Sequence, residues 1–328
     1  MDKPSHLSVI IDLSPTQWAL CAQSTSPPGI SLQTFLSQLL AFLNAHIACK
    51  DENTLAVFGA LPGQSILLYS STGEVTAADN EPTDSNTYRP FRALDATVMN
   101  SLAERLESFE NAAEEAPIGL VGCLTKALCY INRVTSSAST PASGGEGSSV
   151  SVDPRILVLS VSPDQSSTYI PIMNSIFSAQ KLKVTIDVCK IFGAENVFLQ
   201  QAAHLTGGAY VQVEKPDALL QYMMMSFLPP PAIRQLIAVP TQDRVDFRAA
   251  CFCHKRIVEI GFVCSVCLSI FCQPVPVCST CRTKFPIKTL QRLNASRPLA
   301  LPTSAPGTPA RPPSQRNGVA APATPRPG

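Results

Sequence analysis

Seven of the twelve cysteines lie between residues 251 and 281, and four of them form two pairs with the same spacing. Cys264 pairs with Cys267, and Cys278 pairs with Cys281, each across two intervening residues. Two intervening residues let both sulfurs face one ion, and a second pair after a short loop completes a tetrahedron of thiolates. The spacing therefore predicts a structural zinc ion bound by these four cysteines.

Three more cysteines and a histidine accompany these pairs, namely Cys251, Cys253, Cys272 and His254. Thiolate and imidazole are both zinc ligands, so these four side chains could form a second site interleaved with the first. The alternative is that Cys272 and one of the early pair pack as small apolar residues, or extend the surroundings of the first site. The sequence leaves open whether the chain binds one zinc ion or two.

A disulfide framework is the competing interpretation of the cysteine cluster, and it requires an oxidising compartment. The first apolar run, residues 7–13, contains Asp12, so it does not resemble a signal peptide. No apolar stretch approaches the ~20 residues that span a membrane. These features favour zinc and predict no membrane association. The remaining cysteines, predicted to be buried thiols, are Cys21, Cys49, Cys123, Cys129 and Cys189.

Composition divides the 328 residues into regions. Residues 1–250 carry 15 basic and 23 acidic side chains, whereas residues 251–328 carry 10 basic side chains and only Glu259. Ser/Gly-rich residues 136–150 predict a flexible loop insertion, and the Pro/Ala-rich segment 293–328 predicts a disordered tail. We therefore expect a large domain over 1–231, a zinc-binding module over 245–292 and the tail.

Strand and helix patterns alternate through the large domain, which predicts a mostly parallel sheet covered by helices on both faces. Residues 54–61 and 64–70 are joined too tightly for anything but an antiparallel pair. The other predicted strands are 7–13, 155–162, 184–189 and 209–213. The predicted helices are 31–50, 94–113, 117–134, 171–181, 195–205 and 216–227.

A doubly wound sheet with one antiparallel strand resembles the von Willebrand factor A fold. Members of that family often bind Mg²⁺ at the strand ends through Asp-x-Ser-x-Ser, a later Thr and an Asp after the fourth strand. Here Asp12, Ser14 and Thr16 stand at the first motif, but Thr16 replaces its second Ser and Pro15 distorts the turn. Ser160 to Ser162 stand where the family's later Asp is expected, with Asp164 displaced. The resemblance therefore implies a degenerate magnesium motif that does not favour Mg²⁺.

No catalytic constellation is evident in the sequence. It contains no phosphate-binding Gly-rich loop and no nucleophile elbow. His46 and His204 fall in amphipathic helical patterns, and His6 is close to the chain start. We therefore expect no enzymatic activity.

The cysteine segment, residues 251–281, together with the opening strand, Asp12 to Pro15 and Trp18, resembles one family. It is similar to the 34-kilodalton subunits of the general transcription and DNA-repair factor TFIIH. This resemblance implies a nuclear, non-catalytic scaffold for RNA polymerase II initiation and nucleotide excision repair. It also implies a partner, the larger TFIIH subunit with its own A domain and RING-like module, besides other core subunits.

Two alternatives stay open. Interleaved zinc sites are also found in RING-type ubiquitin ligases, although His254 precedes the main cysteine pairs here rather than standing between them. The basic module could instead contact DNA phosphates directly, without reading sequence, because few aromatic residues accompany its charges. The basic residues concerned are Lys255, Arg256, Arg282, Lys284, Lys288 and Arg292.

Overall fold

The structure is a computed structural model, which describes residues 3–25, 29–72, 88–109, 116–139, 152–165, 168–234, 236–237, 245–254 and 256–295. The chain forms two compact units, residues 1–272 and residues 273–328. Most of the predicted loop, residues 140–151, and of the predicted tail, residues 296–328, lie outside the described part.

A six-stranded sheet is the centre of the first unit, in the strand order β3-β2-β1-β4-β5-β6. Neighbouring strands pair in parallel except β2 and β3, which are antiparallel. This arrangement confirms the predicted von Willebrand A fold. The strands are β1 (Ser5–Asp12), β2 (Thr54–Leu61), β3 (Gln64–Ser70), β4 (Asp153–Ser160), β5 (Thr185–Lys190) and β6 (Tyr210–Gln212).

Helices cover both faces of the sheet and create two apolar cores. Along β1, Val9 and Ile11 belong to one core and Ile10 to the other, because successive side chains of a strand point to opposite faces. Burial on both faces explains why the middle of the strand carries three apolar residues in succession, Val9 to Ile11. Helices α1 (Pro15–Gln23), α2 (Leu32–Cys49), α3 (Arg89–Phe109) and α7 (Leu219–Tyr222) cover the first core; α4 (Leu120–Ser139), α5 (Tyr169–Leu182) and α6 (Val197–Thr206) cover the second.

Among the described residues, α2 is the one helix long and apolar enough to cross a membrane. Its side chains Phe35, Leu39, Phe42 and Leu43 are fully buried in the first core. Ser31 caps its N-terminus by accepting a hydrogen bond from the backbone N–H of Thr34 at 3.1 Å. These contacts are those of a core helix packed against the sheet.

Helix α1 corrects the prediction that Pro15 distorts the turn after β1. Pro15 is instead the first residue of this helix, where a proline's fixed φ suits the helix and its missing N–H costs nothing. Ser14 is the N-cap, and its Oγ lies 3.5 Å from the backbone nitrogen of Gln17. The helix places Trp18 so that its indole N–H donates to the backbone oxygen of Asp12 at 2.8 Å.

The prediction of one helix over residues 216–227 is also wrong in detail. The segment instead consists of a 3₁₀ turn (Pro216–Ala218), α7 and a π-helical turn (Met223–Phe227). Its end is fixed from inside the sheet, because the buried guanidinium of Arg155 on β4 donates to the backbone oxygens of Phe227, Leu228 and Pro229 at 3.0, 3.4 and 3.0 Å. Helix α4 likewise extends to Ser139, into the segment predicted to be a loop.

Beyond the sheet, the chain continues through α8 (Pro231–Arg234) to a small hairpin of β7 (Phe262–Val263) and β8 (Ile270–Phe271). Ala250 is fully buried in the second core, and Phe252 packs against that core. The first part of the cysteine-rich segment is therefore attached to the sheet. The second unit contains one further described helix, α9 (Ile287–Ala295).

Candidate metal centre

Three short turns present six of the seven clustered cysteines, and all three turns close with the same backbone hydrogen bond. The N–H of the first cysteine donates to the carbonyl five residues later. The pairs are Cys251 with Arg256 at 2.8 Å, Cys264 with Ser269 at 2.9 Å, and Cys278 with Thr283 at 2.9 Å. The turns at Cys264 and Cys278 share this bond and their cysteine spacing, whereas the turn at Cys251 shares the bond alone.

The two Cys-x-x-Cys turns match in further detail. The residue after each pair, Leu268 or Arg282, has a left-handed backbone, with φ of 60° and 59°. Its N–H donates to the carbonyl of the first cysteine, Cys264 or Cys278, at 2.9 Å in both turns. Such a φ is unfavourable for residues other than glycine, so the surrounding turn must hold these two residues in it, as is common at functional sites.

A hydroxyl two residues after each pair lies against the second sulfur. Ser269 Oγ is 3.1 Å from Cys267 Sγ, and Thr283 Oγ1 is 3.1 Å from Cys281 Sγ. Donors of this kind stabilise a thiolate and fix its orientation around a metal. Sequence reasoning missed them, although a Ser or Thr at the same offset after both pairs was a readable signal.

Cys264, Cys267, Cys278 and Cys281 bring their Sγ atoms to within 4.8 Å of one another. Cys264 and Cys278 are buried, whereas Cys267 and Cys281 are partly exposed. Zn–S bonds of about 2.3 Å give a tetrahedron with edges of roughly 3.8 Å. Four sulfurs this close fit a zinc ion whose coordination positions are all filled by protein.

Cys251, Cys253, His254 and Cys272 form a second group whose ligand atoms also lie within 4.8 Å of one another. Cys253 Sγ is 3.5 Å from Cys272 Sγ, and His254 Nδ1 is 3.3 Å from the same sulfur. Cys253 and His254 are exposed, so this group is nearer the solvent than the first. The four side chains considered for a second site are thus brought together.

Two thiols of the second group, Cys251 and Cys272, have pKa values shifted in opposite directions. Burial raises the pKa of Cys251, but hydrogen bonds with Arg256, His254 and Cys253 outweigh it and lower the pKa to about 7. Burial together with Cys253 and Cys251 raises the pKa of Cys272 to about 11. Neighbouring thiolates oppose each other's ionisation, and a dication would remove that opposition.

The cysteines outside these groups separate into two sets. Cys21, Cys123 and Cys189 are buried, and burial raises the pKa of Cys123 and Cys189 to about 12. Cys49 and Cys129 are exposed on α2 and α4. The prediction that all five are buried is therefore wrong for these two, which lie on the outer helix faces.

The strand ends hold the degenerate magnesium motif. The Asp12 carboxylate is 1% exposed, and each of its oxygens accepts two hydrogen bonds. Oδ1 accepts from the N–H of Ser14 at 3.2 Å and the hydroxyl of Ser162 at 3.0 Å. Oδ2 accepts from the N–H groups of Val161 and Ser162 at 3.1 and 2.7 Å.

A buried lysine shares this crevice. Lys190, the last residue of β5, is fully buried, and its ammonium donates to the backbone oxygen of Ser162 at 2.6 Å. Asn196 Nδ2 donates to the same oxygen at 3.1 Å. Burial lowers the Lys190 pKa to about 8 against the opposing attraction of Asp12 and Asp164.

These residues do not fit a magnesium ion. Mg²⁺ demands near-octahedral oxygen ligands, whereas the Asp12 oxygens are already engaged by four donors. Thr16 is exposed, and its hydroxyl contacts Ser14 Oγ at 3.2 Å. Asp164 Oδ2 accepts the N–H of Phe198 at 3.2 Å and so caps α6. Asp12 and Asp164 thus accept hydrogen bonds from backbone N–H groups around the crevice.

The basic residues considered for phosphate contact are on the surface wherever they are described. Lys255 lies outside the described residues. From residue 260 to the C-terminus the sequence contains no Asp or Glu. The exposed members are Arg256, Arg282, Lys284, Lys288 and Arg292.

The fold and the site together define the class: a von Willebrand A-type domain without its usual magnesium ligands, followed by a cysteine-rich module with two four-donor groups. Residues 4–282 match the family described as Transcription factor Tfb4. The chain belongs to this family.

Relatives and one solved structure agree with this assignment. General transcription and DNA repair factor IIH subunit tfb4 of Schizosaccharomyces pombe is 40% identical over 293 residues, covering 89% of this chain and 92% of the relative. The TFB4 subunit of Arabidopsis thaliana is 36% identical over 295 residues, covering 87% and 90%. The crystal structure of the TFIIH p34 N-terminal domain has a TM-score of 0.55 at 27% identity, covering 69% of this chain and 98% of that one.

Proposed function

We propose that the chain is a non-catalytic, nuclear subunit of the TFIIH core, acting in RNA polymerase II initiation and nucleotide excision repair by holding other subunits. The observation that carries the proposal is the pairing of Tfb4 family membership with two groups of four protein donors. A zinc ion with four protein ligands has no open position for chemistry, so its role is structural. Nothing in the described residues favours ubiquitin ligation.

The proposed metals are two zinc ions, one held by Cys264, Cys267, Cys278 and Cys281 and the other by Cys251, Cys253, His254 and Cys272. Structural zinc supplies folding free energy on the order of 10 kcal/mol to small modules. The segment after residue 250 buries few large side chains, since Ile260, Val266 and Leu268 are 63%, 63% and 71% exposed. Metal binding would compensate for this small core.

The proposed partner is the larger TFIIH subunit that carries an A domain and a RING-like module, together with other core subunits. The apolar side chains exposed around the first Cys-x-x-Cys turn, including Val263 at 58%, are suited to a protein contact. DNA contact through phosphates is a second proposal, supported by the absence of acidic residues after residue 259.

The decisive experiment is affinity purification of the tagged full-length chain from nuclear extract, followed by mass determination. We expect recovery in a large stable complex. The double substitution of Cys264 and Cys278 by Ser should reduce that recovery, whereas the matched control Cys129→Ser, at an exposed cysteine outside both groups, should not. Recovery of the unaltered chain as a lone monomer would contradict the proposal, and so would its presence in the cytoplasmic fraction of the same cells with none in the nuclear extract.

A further inference from the structure

Opposite charges flank the loop that follows the central strand β4. Asp12 ends β1 and Lys190 ends β5, and these are the two neighbours of β4 in the sheet. The carboxylate of Asp12 accepts from the N–H and hydroxyl of Ser162, while the ammonium of Lys190 donates to the carbonyl of Ser162. A single residue therefore joins the anion to the cation.

Burial makes each charge dependent on the other. Asp12 is 1% exposed and Lys190 is 0% exposed. A buried charge is costly unless an opposite charge and hydrogen bonds compensate it. Lys190 has attraction from Asp12 and Asp164, and the Asp12 carboxylate accepts four hydrogen bonds.

We propose that the ammonium of Lys190 is the resident cation of this crevice, taking the electrostatic place of a divalent ion. The crevice then keeps its carboxylates compensated without metal. A corollary follows: removing the ammonium leaves the buried Asp12 carboxylate with its four hydrogen-bond donors but without the cation that it attracts. Loss of Lys190 should therefore leave a net negative crevice that attracts a cation from solution, which Mn²⁺ reports.

The competing explanation is that Lys190 only fills space and bonds one carbonyl. Both explanations predict that Lys190→Met destabilises the domain, so stability alone does not distinguish them. They differ in two measurements, the binding of a dication and the energetic coupling of Lys190 to Asp12.

The first measurement counts bound Mn²⁺ by electron paramagnetic resonance on the full-length, zinc-loaded protein. We expect the unaltered chain and Asp12→Asn to bind the same number of Mn²⁺ ions. Lys190→Ser should bind one more Mn²⁺ per chain than the unaltered chain. That additional ion should disappear in Lys190→Ser combined with Asp12→Asn. Mn²⁺ should also raise the Tm of Lys190→Ser, but not that of the unaltered chain, by several degrees near saturation.

The second measurement is a double-mutant cycle of Lys190→Met and Asp12→Asn, monitored by urea unfolding. Trp18 is the sole tryptophan, and its buried indole lies beside Asp12, so its fluorescence reports this domain. We expect the double variant to recover part of the free energy of unfolding lost by Lys190→Met. A matched control pairs Lys190→Met with Asp95→Asn, whose carboxylate bonds Asn44 on the outer helices, and should be additive.

Two results would overturn the proposal. One is a stoichiometric Mn²⁺ on the unaltered chain that is lost in Asp12→Asn. The other is additivity of Lys190→Met and Asp12→Asn, as strict as in the Asp95 control. If Lys190→Ser does not fold, two measurements still decide between the explanations. They are the double-mutant cycle, which uses Lys190→Met and so keeps the side-chain volume, and the Mn²⁺ count on the unaltered chain.

Discussion

Arg234 and Asp187 form a buried, bidentate ion pair that links the short helix α8 to strand β5. The two guanidinium nitrogens lie 2.5 and 2.7 Å from the two carboxylate oxygens, with the side chains 9% and 1% exposed. Asp187 also accepts the N–H of Ala209 at 3.0 Å. Since α8 follows the last turn on the sheet, the pair fixes the path of the chain as it leaves the A domain.

Arg234→Met should lower the free energy of unfolding by about 3–5 kcal/mol, because it leaves the Asp187 carboxylate buried without its partner. Urea unfolding followed by Trp18 fluorescence measures the change. Arg248→Met is the matched control: Arg248 is exposed and its partners Asp246 and Glu259 are 28% and 81% exposed, so the loss should be much smaller than for Arg234→Met. Equal losses in the two variants would contradict the assigned strength of the buried pair.

Elemental analysis of the purified full-length chain should give two zinc ions. Cys278→Ser should remove one of them, and Cys272→Ser the other, because each belongs to a different group of four donors. A single zinc ion that both substitutions abolish would reduce the assignment to one site.

Cys264→Ser should unfold the cysteine-rich module, since structural zinc contributes folding free energy on the order of 10 kcal/mol. Limited proteolysis of residues 251–290 measures the loss of structure. Cys129→Ser serves as the control because that thiol is exposed on α4. Protease resistance unchanged from the unaltered chain would argue against a structural metal at this turn.

Leu268→Gly should strengthen the first Cys-x-x-Cys turn by up to ~1 kcal/mol, because glycine adopts the left-handed φ of 60° without steric cost. Leu268→Val should weaken it, since β-branching makes that conformation worse. Competition with a zinc chelator gives the affinities. Leu268 is 71% exposed, so lost packing contributes little to the difference. A higher affinity for Val than for Gly would show that the backbone relaxes freely.

Two buried histidines make the A domain sensitive to acid. Burial lowers the pKa of His6 to about 4, and burial with the charge of Arg155 lowers that of His46 to about 4, from an ordinary 6.5. Between pH 4 and pH 6.5 the unfolded chain binds more protons at these two histidines than the folded chain does. The free energy of unfolding therefore keeps its full value above pH 6.5 and falls as the pH drops toward 4. Trp18 fluorescence during urea unfolding at several pH values measures the slope.

His46→Leu should make that slope shallower, because it removes one group that must stay neutral when folded. His204→Gln is the comparison, since His204 is exposed on α6, and it should leave the slope as in the unaltered chain. An unchanged slope in His46→Leu would mean that other groups cause the acid sensitivity.

Local patterns in the sequence were sufficient to predict the sheet. The strands are apolar runs bounded by turns, and β2 and β3 were predicted with their observed bounds because Pro62 and Gly63 leave no room for a crossover. The clustering of Cys264, Cys267, Cys278 and Cys281 was predictable as well, because thiols at this fixed spacing indicate a shared site, whereas the sequence left the second group open.

Tertiary relationships were not predictable in the same way. The sequence shows only that His6 is close to the chain start, whereas the structure buries it fully in β1, with its Nδ1 2.8 Å from Thr54 Oγ1 on β2. Lys190 follows the predicted strand 184–189, and nothing in the residues around it indicates its contact with Ser162. Such contacts join residues far apart in the chain, and no local periodicity encodes them.

The buried Arg155 has a mechanical consequence. Its guanidinium holds the carbonyls of Phe227, Leu228 and Pro229, and β4 lies between β1 and β5 rather than at an edge of the sheet. A tensile load transmitted along the chain from residue 230 onward would therefore reach the middle strand directly, where neighbours on both sides resist displacement. The segment after the domain can therefore bear a load without peeling an outer strand from the sheet.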